Sequence, residues 1–231
     1  MRSSAGAGYW AGMGTGRVAR WRGGRLLHPR GVSFGGEVEL SGSFAERAVG
    51  GPGRYPATVR LSRGTPTPAG WPDVLGLAVR LHGADGPFDL LLSSTGRPRL
   101  LRHLPMPRRD FAGPYGSLLA YRIDGRRTYL LAAADRPLGG SLAELAALAA
   151  RHGVRFDLLA ADGFRAPWRV VGRVVLGARL PAGTDAALAF DPDGRRGSGL
   201  RPRGLIQWLR RAGYPVSQRG RNAAEDQTRL P

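Results

Sequence analysis

Residues 73–95 read Asp-Val-Leu-Gly-Leu-Ala-Val-Arg-Leu-His-Gly-Ala-Asp-Gly-Pro-Phe-Asp-Leu-Leu-Leu-Ser-Ser-Thr, and this stretch decides the fold class. Two runs rich in apolar residues, Val74–His82 and Pro87–Ser93, flank the turn-forming segment Gly83-Ala84-Asp85-Gly86. Short apolar runs that are bounded by glycine, proline and aspartate are typical of strands. The stretch therefore predicts a β-hairpin.

Similar runs recur on both sides of this hairpin. Asp124-Gly125 separates two of them, and this dipeptide favours a tight hairpin turn. With the first hairpin they predict about eight strands, and so a mostly β, closed antiparallel barrel that carries a few helices. The further predicted strands are Val32–Leu40, Tyr55–Ser62, Ser117–Ile123, Arg127–Ala133, Val154–Ala160 and Trp168–Leu180.

Two helices interrupt the strand pattern. Ser141 and Glu144 form a capping box at the start of a predicted helix over Leu142–His152. The second predicted helix, Pro202–Ala212, ends before Gly213. Residues 1–22 are rich in glycine and arginine and read as a flexible basic arm, residues 23–222 as one barrel domain, and residues 223–231 as a tail.

The composition restricts the classes of function. The chain has no cysteine, which excludes disulfides and thiolate metal sites. No apolar run is long enough for a membrane span or a signal peptide, so we expect a cytoplasmic protein without membrane contact. The net charge of +18 suggests a polyanionic partner, but all 35 cationic residues are arginine and they are scattered, which does not favour nucleic acid.

Four segments could carry chemistry, although each has a simpler structural interpretation. A lone histidine near a strand start, such as His28, is usually structural. Arg60 in the apolar run Val59-Arg60-Leu61-Ser62 would normally face solvent, and inside a barrel it would need an anionic partner. Residues 73–95 could be an ordinary hairpin, and residues 210–221 a basic tail.

Taken in order, these segments resemble the haem catalases. Arg25 and His28 match the family pattern R-x-x-H-x-[KR]-G, and Val59-Arg60-Leu61-Ser62 matches V-R-F-S. Residues 73–95 follow, without a gap, the family segment that runs from D-P-R-G-F to N-N-T. The pattern R-x-F-x-Y-x-D-[ST]-[QH]-x-x-R is matched at Arg210, Tyr214, Ser217, Gln218 and Arg221, and Ala189-Phe190-Asp191-Pro192 matches A-F-D-P.

The resemblance implies haem b as the cofactor, with Tyr214 as the ligand of its iron. Arg210, one helical turn before Tyr214, would favour the ionised phenol. His28 would be the acid–base residue toward peroxide, and Ser62 would orient it. Three arginines would hold the haem propionates, because a guanidinium pairs with a carboxylate in a forked geometry: these are Arg25, Arg60 and Arg221.

The chain departs from the family on the distal side. Ser93 and Ser94 replace two asparagines, Gly96 replaces a proline, and Met106 stands where the family has a phenylalanine. A serine is shorter than an asparagine, so Ser93 would position peroxide less well. The prediction is therefore a haem-dependent peroxidase that uses a peroxide and a small reducing co-substrate and is weak as a catalase.

Two alternatives remain open at this point. The chain could be a degenerate barrel that binds haem or another ligand without turnover, or a basic nucleic-acid-binding protein. The sequence is compatible with a homodimer, and it identifies neither the peroxide nor the electron donor.

Overall fold

The computed structural model describes residues 28–65, 68, 70–83, 86–98, 101–188, 190 and 201–202. These contain ten strands: β1 Arg30–Leu40, β2 Gly53–Arg63, β3 Leu75–Gly83, β4 Gly86–Ser94, β5 Tyr115–Gly116, β6 Tyr121–Ile123, β7 Arg126–Ala134, β8 Val154–Asp162, β9 Arg169–Arg179 and β10 Arg201–Pro202. They also contain helices α1 Gly42–Val49, α2 Leu142–His152 and α3 Ala182–Ala187, and one 3₁₀ turn, Leu101–His103.

Eight of these strands close into an antiparallel barrel. Their order is β7–β5–β4–β3–β2–β1–β9–β8, and β8 pairs with β7 to complete the ring. β6 continues outward from β7, and β10 from β6. The prediction of a closed, mostly β barrel of about eight strands is confirmed.

The barrel interior is filled with apolar side chains. In β1–β4 these come from alternate residues, because neighbouring side chains of a strand point to opposite faces. Eight strands enclose just enough space for such side chains. The main core residues of β1–β4 are Val32, Phe34, Val59, Leu61, Leu77, Val79, Leu90 and Leu92, all buried. A ligand site is therefore expected outside the barrel wall.

Two glycines allow β1 and β9 to approach each other closely. A Cβ at Gly36 would overlap the carbonyl oxygen of Val175, and a Cβ at Gly172 would overlap that of Glu39. The register of β1 against β9 also shifts between Phe34 and Gly36. Glycines in strand interiors commonly mark such close approaches and bends of a barrel wall.

The helix at Leu142–His152 agrees with its prediction. Ser141 Oγ accepts a hydrogen bond from the backbone N–H of Glu144 at 3.1 Å, and Glu144 Oε2 accepts one from the N–H of Ser141 at 3.2 Å. Both halves of the capping box are present, which satisfies backbone donors that the helix itself cannot. The helix buries Leu145 and Ala149.

Three local predictions are wrong or incomplete. Of the strand predicted over Ser117–Ile123, only Tyr121–Ile123 is a strand, β6, and β5 lies before it at Tyr115–Gly116; between them the Ser117 hydroxyl accepts the backbone N–H of Leu130 at 3.0 Å. Pro202 lies in β10 rather than in a helix, and the remainder of that predicted helix is outside the described residues. Helices α1 and α3 were not predicted.

The chain divides into two compact units. Residues Arg30–Arg203 form the unit that contains the barrel. The other unit consists of Met1–Pro29 and Gly204–Pro231, and His28 and Pro29 are its described residues. The arm, domain and tail limits at residues 22 and 222 stay predictions. No helix among the described residues is long and apolar enough to cross a membrane.

Candidate functional site on the outer face of β1–β4

The outer face of β1–β4 carries polar and very small side chains. The strand register places Gly31, Ser62, Gly76 and Ser93 in one row across the four strands. Directly opposed residues of neighbouring strands point to the same side of the sheet. Ser62 and Ser93, both predicted from sequence, therefore lie on one face, two strands and about 10 Å apart, with Gly76 between them.

The next row on this face contains a buried cation. It consists of Ser33, Arg60, Ala78 and Leu91. Arg60 is only 3% exposed, and its guanidinium lies over Gly31, where a Cβ would overlap it. A buried charge requires a partner of opposite sign. Asp185 of α3 supplies it: Arg60 Nε donates to Asp185 Oδ1 at 2.9 Å.

The third row contains a second buried ion pair. Thr58, Arg80 and Asp89 follow one another across β2, β3 and β4. Arg80 donates two hydrogen bonds of 2.7 Å to the two carboxylate oxygens of Asp89, which is the forked geometry that arginine favours. The Phe190 ring lies 5.0 Å from the guanidinium carbon of Arg80.

Ser62 and Ser93 differ in their surroundings. Ser62 is buried, and its hydroxyl donates to the carbonyl oxygen of Gly76 at a long 3.4 Å. Ser93 is half-buried near the end of β4. The next residue, Ser94, is fully buried and donates to the carbonyl oxygen of Met106 at 2.7 Å, which holds the Met106 segment beside the end of β4.

The other predicted site residues can be placed only in part. His28 lies two residues before the start of β1, is half-buried, and has a φ of 57°. This left-handed conformation is uncommon outside glycine, asparagine, aspartate and histidine. Arg25, Arg210, Tyr214 and Arg221 lie outside the described residues, so their predicted roles stay predictions. The described residues contain no cluster of His, Asp and Glu that could hold a metal ion.

No sequence pattern indicated the partner of Arg60. Asp185 accepts from the guanidinium, and the Ser33 hydroxyl donates to the same carboxylate oxygen, Asp185 Oδ1, at 2.5 Å. Asp185 is 125 residues from Arg60 in the chain. No local pattern links two positions so far apart, whereas the need of a buried arginine for an anion was evident.

The outer face combines small side chains, hydroxyl groups and a buried guanidinium. Gly76 and Ala78 leave the centre of the face without bulky side chains, and Ser62 and Ser93 provide hydroxyl groups on either side of Gly76. Arg60, one row away, supplies a guanidinium in a buried setting, where pairing with a carboxylate is strongest.

Solved structures with a similar fold include two catalases. A bacterial catalase superposes with a TM-score of 0.57 at 14% sequence identity, and the match covers 89% of this chain and 59% of that one. A fungal catalase superposes with a TM-score of 0.62 at 12% identity, and the match covers 89% of this chain and 62% of that one.

The comparison shows a catalase-like fold, and at these identities it shows the fold alone. This chain spans about three-fifths of the length of either catalase. No protein-family model matches the sequence, and no curated protein matches it.

Proposed function

We propose that the chain is a haem-b-dependent peroxidase in the cytoplasm, which reduces hydrogen peroxide or organic hydroperoxides with a small reducing co-substrate. One observation carries the proposal: Ser62 and Ser93, which were selected from catalase-like motifs, share one row on the outer face of a catalase-like barrel. The small residues and the buried Arg60 of the same face support a flat, carboxylate-bearing cofactor.

The proposal assigns each role to a residue of this chain. Tyr214 would hold the iron, with Arg210 favouring its ionised form. Arg25, Arg60 and Arg221 would pair with the propionates. His28 would accept a proton from one peroxide oxygen and donate it to the other, as a general acid–base residue. When bound, haem supplies an iron centre that accepts and donates electrons.

The distal residues favour peroxidase over catalase activity. The family asparagine that positions the second peroxide is Ser93 in this chain, and a serine offers a shorter side chain with one hydroxyl donor. Loose positioning of a reactant lowers the rate steeply. We therefore expect slow oxygen release from hydrogen peroxide, together with detectable oxidation of small phenols.

Haem content and absorption spectra test the iron ligand. We expect the parent protein, reconstituted with haem, to show a Soret band, and Tyr214→Phe to lose haem or to show the spectrum of a different axial ligand. Tyr129→Phe is the matched control, since Tyr129 packs against His103 on another part of the barrel. A parent without haem, or an unchanged Tyr214→Phe spectrum, would contradict the proposal.

Reaction with peroxide tests the acid–base residue separately. His28→Ala should keep its haem, because His28 is not the proposed ligand, and should lose the spectral change that peroxide causes. Stopped-flow absorbance measures this change directly. Reaction of His28→Ala at the parental rate would remove His28 from the proposal and leave the assignment of Tyr214 intact.

A further inference from the structure

The two buried ion pairs on the outer face are built differently. Arg80 and Asp89 both belong to barrel strands, share two bonds of 2.7 Å, and the Asp89 side chain is 0% exposed. Arg60 pairs instead with Asp185 of α3, with one bond of 2.9 Å and one of 3.5 Å, and the Asp185 side chain is 15% exposed. The second pair is looser and closer to solvent.

The carboxylate of Asp185 is carried by an element outside the barrel. α3 has six residues, Ala182–Ala187, and follows Pro181. The chain before it is fixed to the barrel, because the Leu180 N–H donates to the Ser33 carbonyl oxygen at 2.8 Å. A short helix moves more easily than a barrel strand, since its displacement breaks no hydrogen bonds between barrel strands.

We propose that Arg60 and Ser33 form a carboxylate-binding site which Asp185 occupies when no ligand is bound, and that a haem propionate displaces Asp185. This inference rests on the proposed function and adds a regulation of the same site. Arg60 is almost fully buried and needs an anion in both states. The exchange provides one: the ligand carboxylate replaces Asp185, and the released Asp185 side chain becomes solvated.

Competition of this kind lowers the apparent affinity for haem. Only the fraction of molecules in which Asp185 has left Arg60 can accept the propionate, and the measured dissociation constant rises as that fraction falls. The displacement of α3 from Arg60 and the binding of haem then favour each other. If Asp185 were instead a permanent structural partner, its removal would destabilise the protein without improving haem affinity.

Haem titration of the apoprotein tests this inference. Asp185→Asn keeps the size of the side chain and removes its charge, so we expect its dissociation constant for haem to fall by about tenfold or more, which corresponds to about 1.4 kcal/mol or more. Asp185→Ala also removes the competing carboxylate and should shift the affinity for haem in the same direction. It also serves if Asp185→Asn does not fold.

Two controls test whether competition between the Asp185 carboxylate and the haem carboxylates causes the change in affinity. Asp157→Asn removes the charge of an exposed ion pair with Arg173 and should bind haem like the parent. Haem dimethyl ester lacks free carboxylates, so the parent and Asp185→Asn should bind it with equal affinity. Unchanged or weaker haem binding by Asp185→Asn and Asp185→Ala, or an equal gain toward the ester, would overturn the inference while leaving the proposed function in place.

Acetate, a small carboxylate, tests the proposed carboxylate site without haem. If no variant binds haem, the proposed function fails, and thermal unfolding in acetate, compared with chloride at the same ionic strength, decides the inference. A higher Tm in acetate for Asp185→Asn, but not for the parent or Asp157→Asn, supports the carboxylate site. Equal Tm values in both salts for all three proteins overturn it.

Discussion

Replacement of Asp89 by asparagine should strongly destabilise the barrel. Asp89 is 3% exposed and Arg80 7% exposed, and two hydrogen bonds of 2.7 Å join them. The change removes the carboxylate charge that Asp89 presents to the buried guanidinium of Arg80. Breaking a buried pair by removing one partner typically costs about 3–5 kcal/mol of the free energy of unfolding. For a chain of this size, that corresponds to a fall in Tm of roughly 6–20 °C.

Urea denaturation followed by far-UV circular dichroism measures this loss. Asp157→Asn is the matched control, because Asp157 pairs with Arg173 across two exposed side chains, and such pairs are worth about 0–1 kcal/mol. The double variant Arg80→Met, Asp89→Leu should recover most of the stability, since apolar residues of similar volume can replace a buried ion pair. A loss below about 1 kcal/mol for Asp89→Asn would refute the reasoning from burial.

Ser141→Ala should lower the free energy of unfolding by about 1 kcal/mol in urea, whereas Ser41→Ala should change it less, because Ser41 makes no side-chain capping bond. Burial and, secondly, the charge of Arg102 lower the pKa of His103, so the unfolded chain binds more protons than the folded one and stability falls as the pH drops below about 6.5. His103→Phe should reduce this fall in thermal melts. An identical dependence of Tm on pH for both proteins would exclude His103 as its source. Ser93→Asn should raise oxygen release from hydrogen peroxide by roughly a hundredfold to a thousandfold on an oxygen electrode, and an equal rate for both proteins would remove Ser93 as the limiting distal residue.

Local patterns predicted most of the fold. The strand runs were visible because each has turn residues at its ends, and Asp124-Gly125 adopts the predicted turn with φ values of 46° and 77°. Helix α1 escaped prediction although Ser41 precedes it and Gly50 ends it in the left-handed conformation. Its buried residues are only Phe44, Ala45 and Ala48, too few to produce a clear helical period.

The candidate site was predictable only where its residues lie in motifs. Ser62 and Ser93 stand in segments that resemble known motifs, but their common row depends on the register of two strand pairs, β2 with β3 and β3 with β4. The partnership of Arg60 with Asp185 comes from contact between the barrel and a helix far along the chain. Such pairings arise from tertiary packing, which no short window of sequence contains.

Because β5 is short, it affects where the barrel opens locally. Among the described residues, Tyr115 and Gly116 alone close the ring from β4 to β7, whereas every residue of β1 from Arg30 to Leu40 pairs with β2. Ser93 pairs with Gly116 at this seam, so a predicted site residue lies where the fewest ladder bonds close the ring. Amide protons along the seam should therefore exchange with solvent deuterium sooner than those between β1 and β2, and ligand contact at Ser93 should slow that exchange.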